Sequence, residues 1–76
     1  MELANRIRKI RETYGLSQAD IAYKANISPQ AYSKIERKAK SSSIETLEKI
    51  ANAIGVDLIF LLDIKSNLYK QEKNNL

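Results

Sequence analysis

A chain of 76 residues with neither cysteine nor histidine has no disulfide or Cys/His metal staple, so it must hold together by packing alone. At this size folding hides only about 60% of the unfolded surface. One small domain is expected, with no material left for a deep substrate cavity. The same absence removes thiolate nucleophiles and Ser-His dyads, which leaves an enzyme only carboxylate chemistry. Glu45 and Glu48, spaced i, i+3, read as helix surface rather than as a metal site. No catalytic residue, metal, cofactor or small-molecule ligand is therefore expected.

Turn and strand formers are also scarce, with two Gly, one Pro and one Val, and an all-α fold follows. Leu3, Ile7, Ile10 and Tyr14 recur at helical spacing and stop at Gly15, which marks a first helix. Ser17 caps the next helix, with Asp20 three residues on as its capping-box partner and Ile21, Ala22 and Ala25 as its apolar face. That helix ends near Asn26, a side chain that tolerates positive φ. Ser28 and Pro29 then read as N-cap and first position of a third helix running through Tyr32 and Ile35 to about Lys38. Lys38 to Ser43 has no apolar period and reads as a loop, with Ser42 and Glu45 capping a fourth helix. Ile44, Leu47, Ile50, Ala51 and Ile54 form the stripe of that helix, which stops at Gly55. Asp57 is expected to cap a fifth helix, Leu58 to Leu62, which is apolar all round. The expected organisation is a compact five-helix domain over residues 1–64 and a polar tail over 65–76.

Charge is distributed unevenly. Arg6, Arg8, Lys9 and Arg11 face Glu2 in the first eleven residues, and Lys34, Arg37, Lys38 and Lys40 face Glu36 in residues 30–43. With a net charge of +4, this pattern favours a polyanionic partner. No apolar run approaches the roughly 20 residues of a membrane span, and residues 1–10 are charged where a signal peptide would be apolar. A cytoplasmic location is expected.

Two short helices joined by a tight turn with a small residue at their crossing are the parts of a helix-turn-helix. Ile21, Ala22, Ala25, Ile27, Tyr32 and Ile35 fall at the inner positions of such a unit. On this pattern, and on Arg6-Ile7-Arg8-Lys9-Ile10-Arg11, Gly15-Leu16-Ser17-Gln18, Ser33-Lys34-Ile35-Glu36-Arg37 and Leu47-Glu48-Lys49-Ile50-Ala51, the chain resembles the lambda-repressor-like helix-turn-helix family. Phage repressors, Cro proteins and small bacterial regulators make up that family. The resemblance runs from Arg6 to about Leu62. It departs at Asn26 and Lys38, where the family usually has glycine, and at Ser42, where it usually has proline. Because Lys38 would enter the left-handed region only at a cost of roughly 1–2 kcal/mol, the third helix is expected to run on or end differently.

The resemblance implies a sequence-specific regulator of transcription, most simply a repressor that binds double-stranded DNA. It also covers restriction-modification controllers, antitoxins and interaction modules that have lost DNA binding. A recognition helix offers its N-terminal residues to base edges in the major groove. Gln30 and Lys34, one turn apart and opposite Tyr32 and Ile35, are the expected base readers, for adenine and guanine respectively, with Ser33 beside them. Gln18 and Ser28 at helix starts, then Arg37, Lys38, Lys40, Ser41 and Ser42, are the expected phosphate contacts. In the family the residue matching Gln18 also braces the recognition helix, and those matching Arg11 and Glu36 form a partly buried ion pair. Tyr32 is expected to face inward with its hydroxyl at the rim. A monomeric head of the family needs Leu58, Leu61 and Leu62 to close its core and usually has polar residues at the two positions between them. Ile59, Phe60 and Ile64 therefore imply a homodimer built through the fifth helix, with a near-palindromic operator. The alternative is that they pack under the tail through Leu68 and Tyr69.

Overall fold

In a computed structural model of the chain, residues 2–63 are described, and the expected tail over 65–76 and Ile64 lie outside them. The described residues form five α-helices: α1 (Leu3–Thr13), α2 (Gln18–Ala25), α3 (Pro29–Lys38), α4 (Ile44–Ile54) and α5 (Leu58–Leu62). A single 3-10 turn, Ala39–Ser41, separates α3 from α4, and no strand occurs among the described residues. α2 packs on α3 and α4, while α1 packs on α3 and α5. Ile7, Ile21, Tyr32, Ile50 and Leu61, from the five helices in turn, are fully buried where these faces meet. No described helix is long and apolar enough to cross a membrane.

Local chemistry sets the helix limits. Ser17 Oγ accepts the Asp20 N–H at 3.0 Å and Asp20 Oδ2 accepts the Ser17 N–H at 2.9 Å, a complete capping box. Ser28 Oγ accepts the Ala31 N–H at 3.0 Å, with Pro29 in the first helical position. At their other ends α1, α2 and α4 turn through Gly15, Asn26 and Gly55, at φ 71°, 60° and 96°. The next N–H then reaches back five residues each time, from Leu16 to Arg11, Ile27 to Ala22 and Val56 to Ala51. Asn26 thus does without a glycine what the turn demands. Asn26→Ala is expected to cost roughly 1–2 kcal/mol in urea unfolding and Asn26→Gly far less. An alanine variant as stable as the wild type would contradict this role.

Four local expectations are corrected. The segment after Lys38 is an ordered 3-10 turn rather than an open loop, because Ala39 is buried in the core against α1. Lys38 avoids the left-handed region, adopting φ −152° and ψ 61° where the helix gives way to the turn. The turn consumes the Ser42 N–H, bonded to the Ala39 carbonyl at 2.9 Å, so the cap of α4 falls to Ser43, whose Oγ accepts the Thr46 N–H at 3.1 Å. Ile44 is 59% exposed, since the covered stripe of α4 starts one turn later at Leu47. Asp57 occupies the cap position of α5 in backbone terms, but its side chain makes no capping bond. Leu61 plugs the core from this five-residue helix, with Leu58 and Leu62 half-buried beside it.

Candidate nucleic-acid interface

The turn between α2 and α3 brings the start of α2 beside the outer face of α3. Gln18, Pro29, Gln30, Ser33 and Arg37 line one shallow cleft there. Along the other flank of α3, Lys34, Lys38, Ser41 and Ser42 line a second, with Ser43 and Thr46 from the start of α4. Gln30, Lys34, Arg37, Lys38 and Lys40 are exposed and Ser33 is half-buried. Most expected contact residues therefore gather around one helix. Lys40 and Ser28 are exposed but line neither cleft, and the Ser28 oxygen accepts the Ala31 N–H of its cap, which leaves its O–H to donate. Arg37 Nη1 donates to Ser33 Oγ at 3.2 Å, an exposed bond that steadies the guanidinium over the first cleft. Ser43 and Thr46 were not expected at this surface. Ser43 directly follows the expected Ser41 and Ser42, and the 3-10 turn packed on α3 carries it and Thr46, in the first turn of α4, to this cleft.

The charge of this face differs from what counting along the chain suggests. Glu36, the one acid in residues 30–43, is turned inward and its side chain is only 4% exposed, so the cations of α3 stand without an opposing carboxylate on their own face. Arg11 Nε donates to Glu36 Oε2 at 2.6 Å and Arg11 Nη2 to Oε1 at 3.3 Å. Arg11 Nη1 also donates to the Leu16 carbonyl at 2.7 Å, which ties in the end of α1. Gln18 Nε2 donates to Glu36 Oε1 at 2.8 Å, so the first residue of α2 braces α3. Burial pushes the Glu36 carboxyl upward, but the hydrogen bonds from Arg11, Tyr32 and Gln18 outweigh it and hold the group below the usual carboxylate range. The Glu36 hydrogen bond raises the Arg11 guanidinium against the effect of its own burial.

Tyr32 faces inward as expected, but its hydroxyl does not reach the rim. Fully buried, it donates to Glu36 Oε2 at 2.5 Å. Burial first, then the adjacent carboxylate, raises its pKa far above the ordinary tyrosine value, so it remains a donor. The first basic segment is likewise partly internal. Arg6 is buried, its Nε and Nη2 donating to the Phe60 carbonyl at 3.0 and 2.6 Å, with its guanidinium 4.8 Å from the centre of the Phe60 ring. Of the four cations of α1, Arg8 and Lys9 are the exposed ones. Nothing in the sequence distinguishes Arg6 from its neighbours except its place on the apolar side of the helical period.

A paired set of short helices whose second member carries a cationic, amide-bearing face defines a DNA-reading module. The helix-turn-helix family pattern matches residues 7–61, and the chain belongs to that family of Cro- and repressor-type DNA-binding transcription regulators, which are not enzymes. It is 34% identical over 73 residues to the immunity repressor protein of Bacillus phage phi105, covering 96% of this chain and 50% of that protein. It is 38% identical over 63 residues to the HTH-type transcriptional regulator DdrOP3 of Deinococcus deserti, covering 83% of this chain and 49% of the relative. The chain thus spans about half the length of these curated relatives. A chain of a solved SinR protein/SinI protein complex superposes with a TM-score of 0.73 at 30% identity, covering 97% of this chain and 78% of that one.

Proposed function

We propose that residues 1–64 are the DNA-reading head of a homodimeric transcriptional repressor that acts in the cytoplasm on a near-palindromic operator. The observation that carries this is the outer face of α3, where Gln30 and Lys34 stand exposed beside Ser33 and the one nearby acid is buried. A side-chain amide can satisfy adenine at two atoms and a lysine can reach the acceptors of guanine, so Gln30 and Lys34 read bases and Ser33 assists. Gln18, Ser28, Arg37, Lys38, Lys40, Ser41 and Ser42 hold the backbone on either side, and the second cleft adds Ser43 and Thr46 to that track. Immunity repressor and transcriptional regulator are the roles named for the curated relatives, and both accord with a head of this kind.

Ile59 is 81% exposed and Phe60 45%, on a helix whose buried face is already supplied by Leu61. Pairing of two such faces about a two-fold axis sets the recognition helices about 34 Å apart, one turn of DNA. Ile64 completes this surface in the proposal and lies outside the described residues.

Site selection from random DNA, followed by binding at several salt concentrations, tests the assignment. Gln30→Ala and Lys34→Ala are expected to relax preference at particular operator positions, each losing about 1–3 kcal/mol of discrimination. Arg37→Ala and Lys40→Ala are expected to weaken all DNA alike and to flatten the salt slope by about one unit each. A Lys34→Ala protein that selects the same site, with Arg37→Ala altering one base, would reverse the orientation assigned to α3.

A further inference from the structure

We propose that Tyr32 is a positioning residue for DNA binding, whose hydroxyl acts through the Glu36 carboxylate to keep the Gln18 side-chain amide oriented for a phosphate. The inference rests on the phosphate contact proposed for Gln18.

Tyr32 is fully buried among Ile7, Ile21 and Ile50, in a place where phenylalanine would pack equally well. What the hydroxyl adds is a donor. Glu36 Oε2 accepts from Arg11 Nε and Tyr32, while Oε1 accepts from Gln18 Nε2 and Arg11 Nη2. Two donors on each oxygen fill the four lone-pair positions of the carboxylate. An ionised carboxylate has nothing to donate, so it selects one flip of the Gln18 amide, with the nitrogen inward. One N–H of that nitrogen is spent on Glu36. The second is left for a group outside, and the Gln18 side chain lines the open cleft with Gln30, Ser33 and Arg37.

Glu36 therefore leaves the second Gln18 N–H to a phosphate only while its own positions are filled. Without the Tyr32 hydroxyl, Oε2 keeps a single donor in a buried place, and a carboxylate there draws in whatever donor can move. The Gln18 amide already sits 2.8 Å from Oε1 at the exposed end of the cluster, and each turn it makes toward Glu36 removes a donor from the DNA face. Arg11 cannot compensate, because its guanidinium already divides between Glu36 and the Leu16 carbonyl.

A double-mutant cycle of Tyr32→Phe and Gln18→Ala, read by DNA affinity of the full chain, separates this from a general effect on the fold. Gln18→Ala is expected to lower affinity about tenfold, and Tyr32→Phe about threefold to tenfold with an unchanged salt slope, since no charge is removed. In the Gln18→Ala background, Tyr32→Phe should have no further effect on affinity. Equal losses in both backgrounds would overturn the inference while leaving the Gln18 contact standing. A Gln18→Ala protein with full affinity would remove the contact and the inference together. A measurement on the wild type alone covers a Tyr32→Phe variant that fails to fold. By NMR one proton of the Gln18 side-chain amide, the one held by Glu36, should be protected from exchange with solvent, and both protons exchanging as fast as those of a solvent-exposed glutamine would overturn the inference.

Discussion

Glu36→Ala is expected to lose about 3–5 kcal/mol of stability, because it leaves the Arg11 guanidinium without its partner in a place where its side chain is 11% exposed. A domain of this length has roughly 4–11 kcal/mol in all, so this one change removes at least about a quarter of the margin and at the low end all of it. Arg11→Ala should cost a similar amount from the other side. The double variant should lose less than the sum, since neither charge is then left alone. Urea midpoints that barely move for either single variant would return the pair to the class of surface bridges worth about 1 kcal/mol or less. Acid supplies an independent check. Glu36 titrates below its ordinary value in the folded state, so its contribution is complete at neutral pH and is lost as pH falls through that lowered folded-state pKa. Stability of the wild type should therefore fall more steeply on acidification than that of Glu36→Gln, and equal slopes would contradict the assignment.

Ile59→Glu with Phe60→Glu is expected to lower affinity for a complete operator by about 10²–10⁴-fold, while affinity for an isolated half-site changes little. In the proposed dimer the loss comes from the second reading head, whose effective concentration on the same DNA disappears when the pairing does. Ile59 alone is the cleaner probe of the surface, being 81% exposed, whereas the Phe60 ring also lies against Arg6. Sedimentation of wild type and variant, run beside binding to full and half operators, measures both effects. A wild type that stays monomeric at high micromolar concentration, with no cooperativity between half-sites, would dismiss the dimer.

Local chemistry accounts for the features that were legible in the sequence. The capping box of Ser17 and Asp20, the start of α3 at Ser28 and Pro29, and the left-handed stop at Asn26 each involve residues within a few positions of one another, so residue type and spacing suffice. The apolar periods likewise placed Ile7, Ile21 and Ile50 in the core, whereas the fifth helix, apolar all round, carried no period that singles out Leu61. The candidate readers Gln30 and Lys34 were legible as the residues a turn apart opposite Tyr32 and Ile35, and both are exposed. The pairing of Arg11 with Glu36 was also expected, though from the family pattern rather than from spacing.

Contacts between distant segments were decided only when the helices packed. The Phe60 carbonyl takes up Arg6 because α5 returns to the start of α1, and 54 positions of sequence carry no sign of that meeting. Ala39 orders the turn after α3 because α1 covers it, while the local sequence, rich in serine, favoured a loop. That 3-10 turn in turn shifted the cap of α4 by one residue to Ser43. Tyr32 was placed inward by its period, but the partner of its hydroxyl depended on where Arg11 and Gln18 converge on Glu36. The chain itself thus determined which segments are helical, where they stop and which faces are apolar, since those depend on neighbours within a turn. Tertiary packing decided which charges are withdrawn into the core and which remain for DNA, because burial and partnership belong to surfaces that come together only in three dimensions.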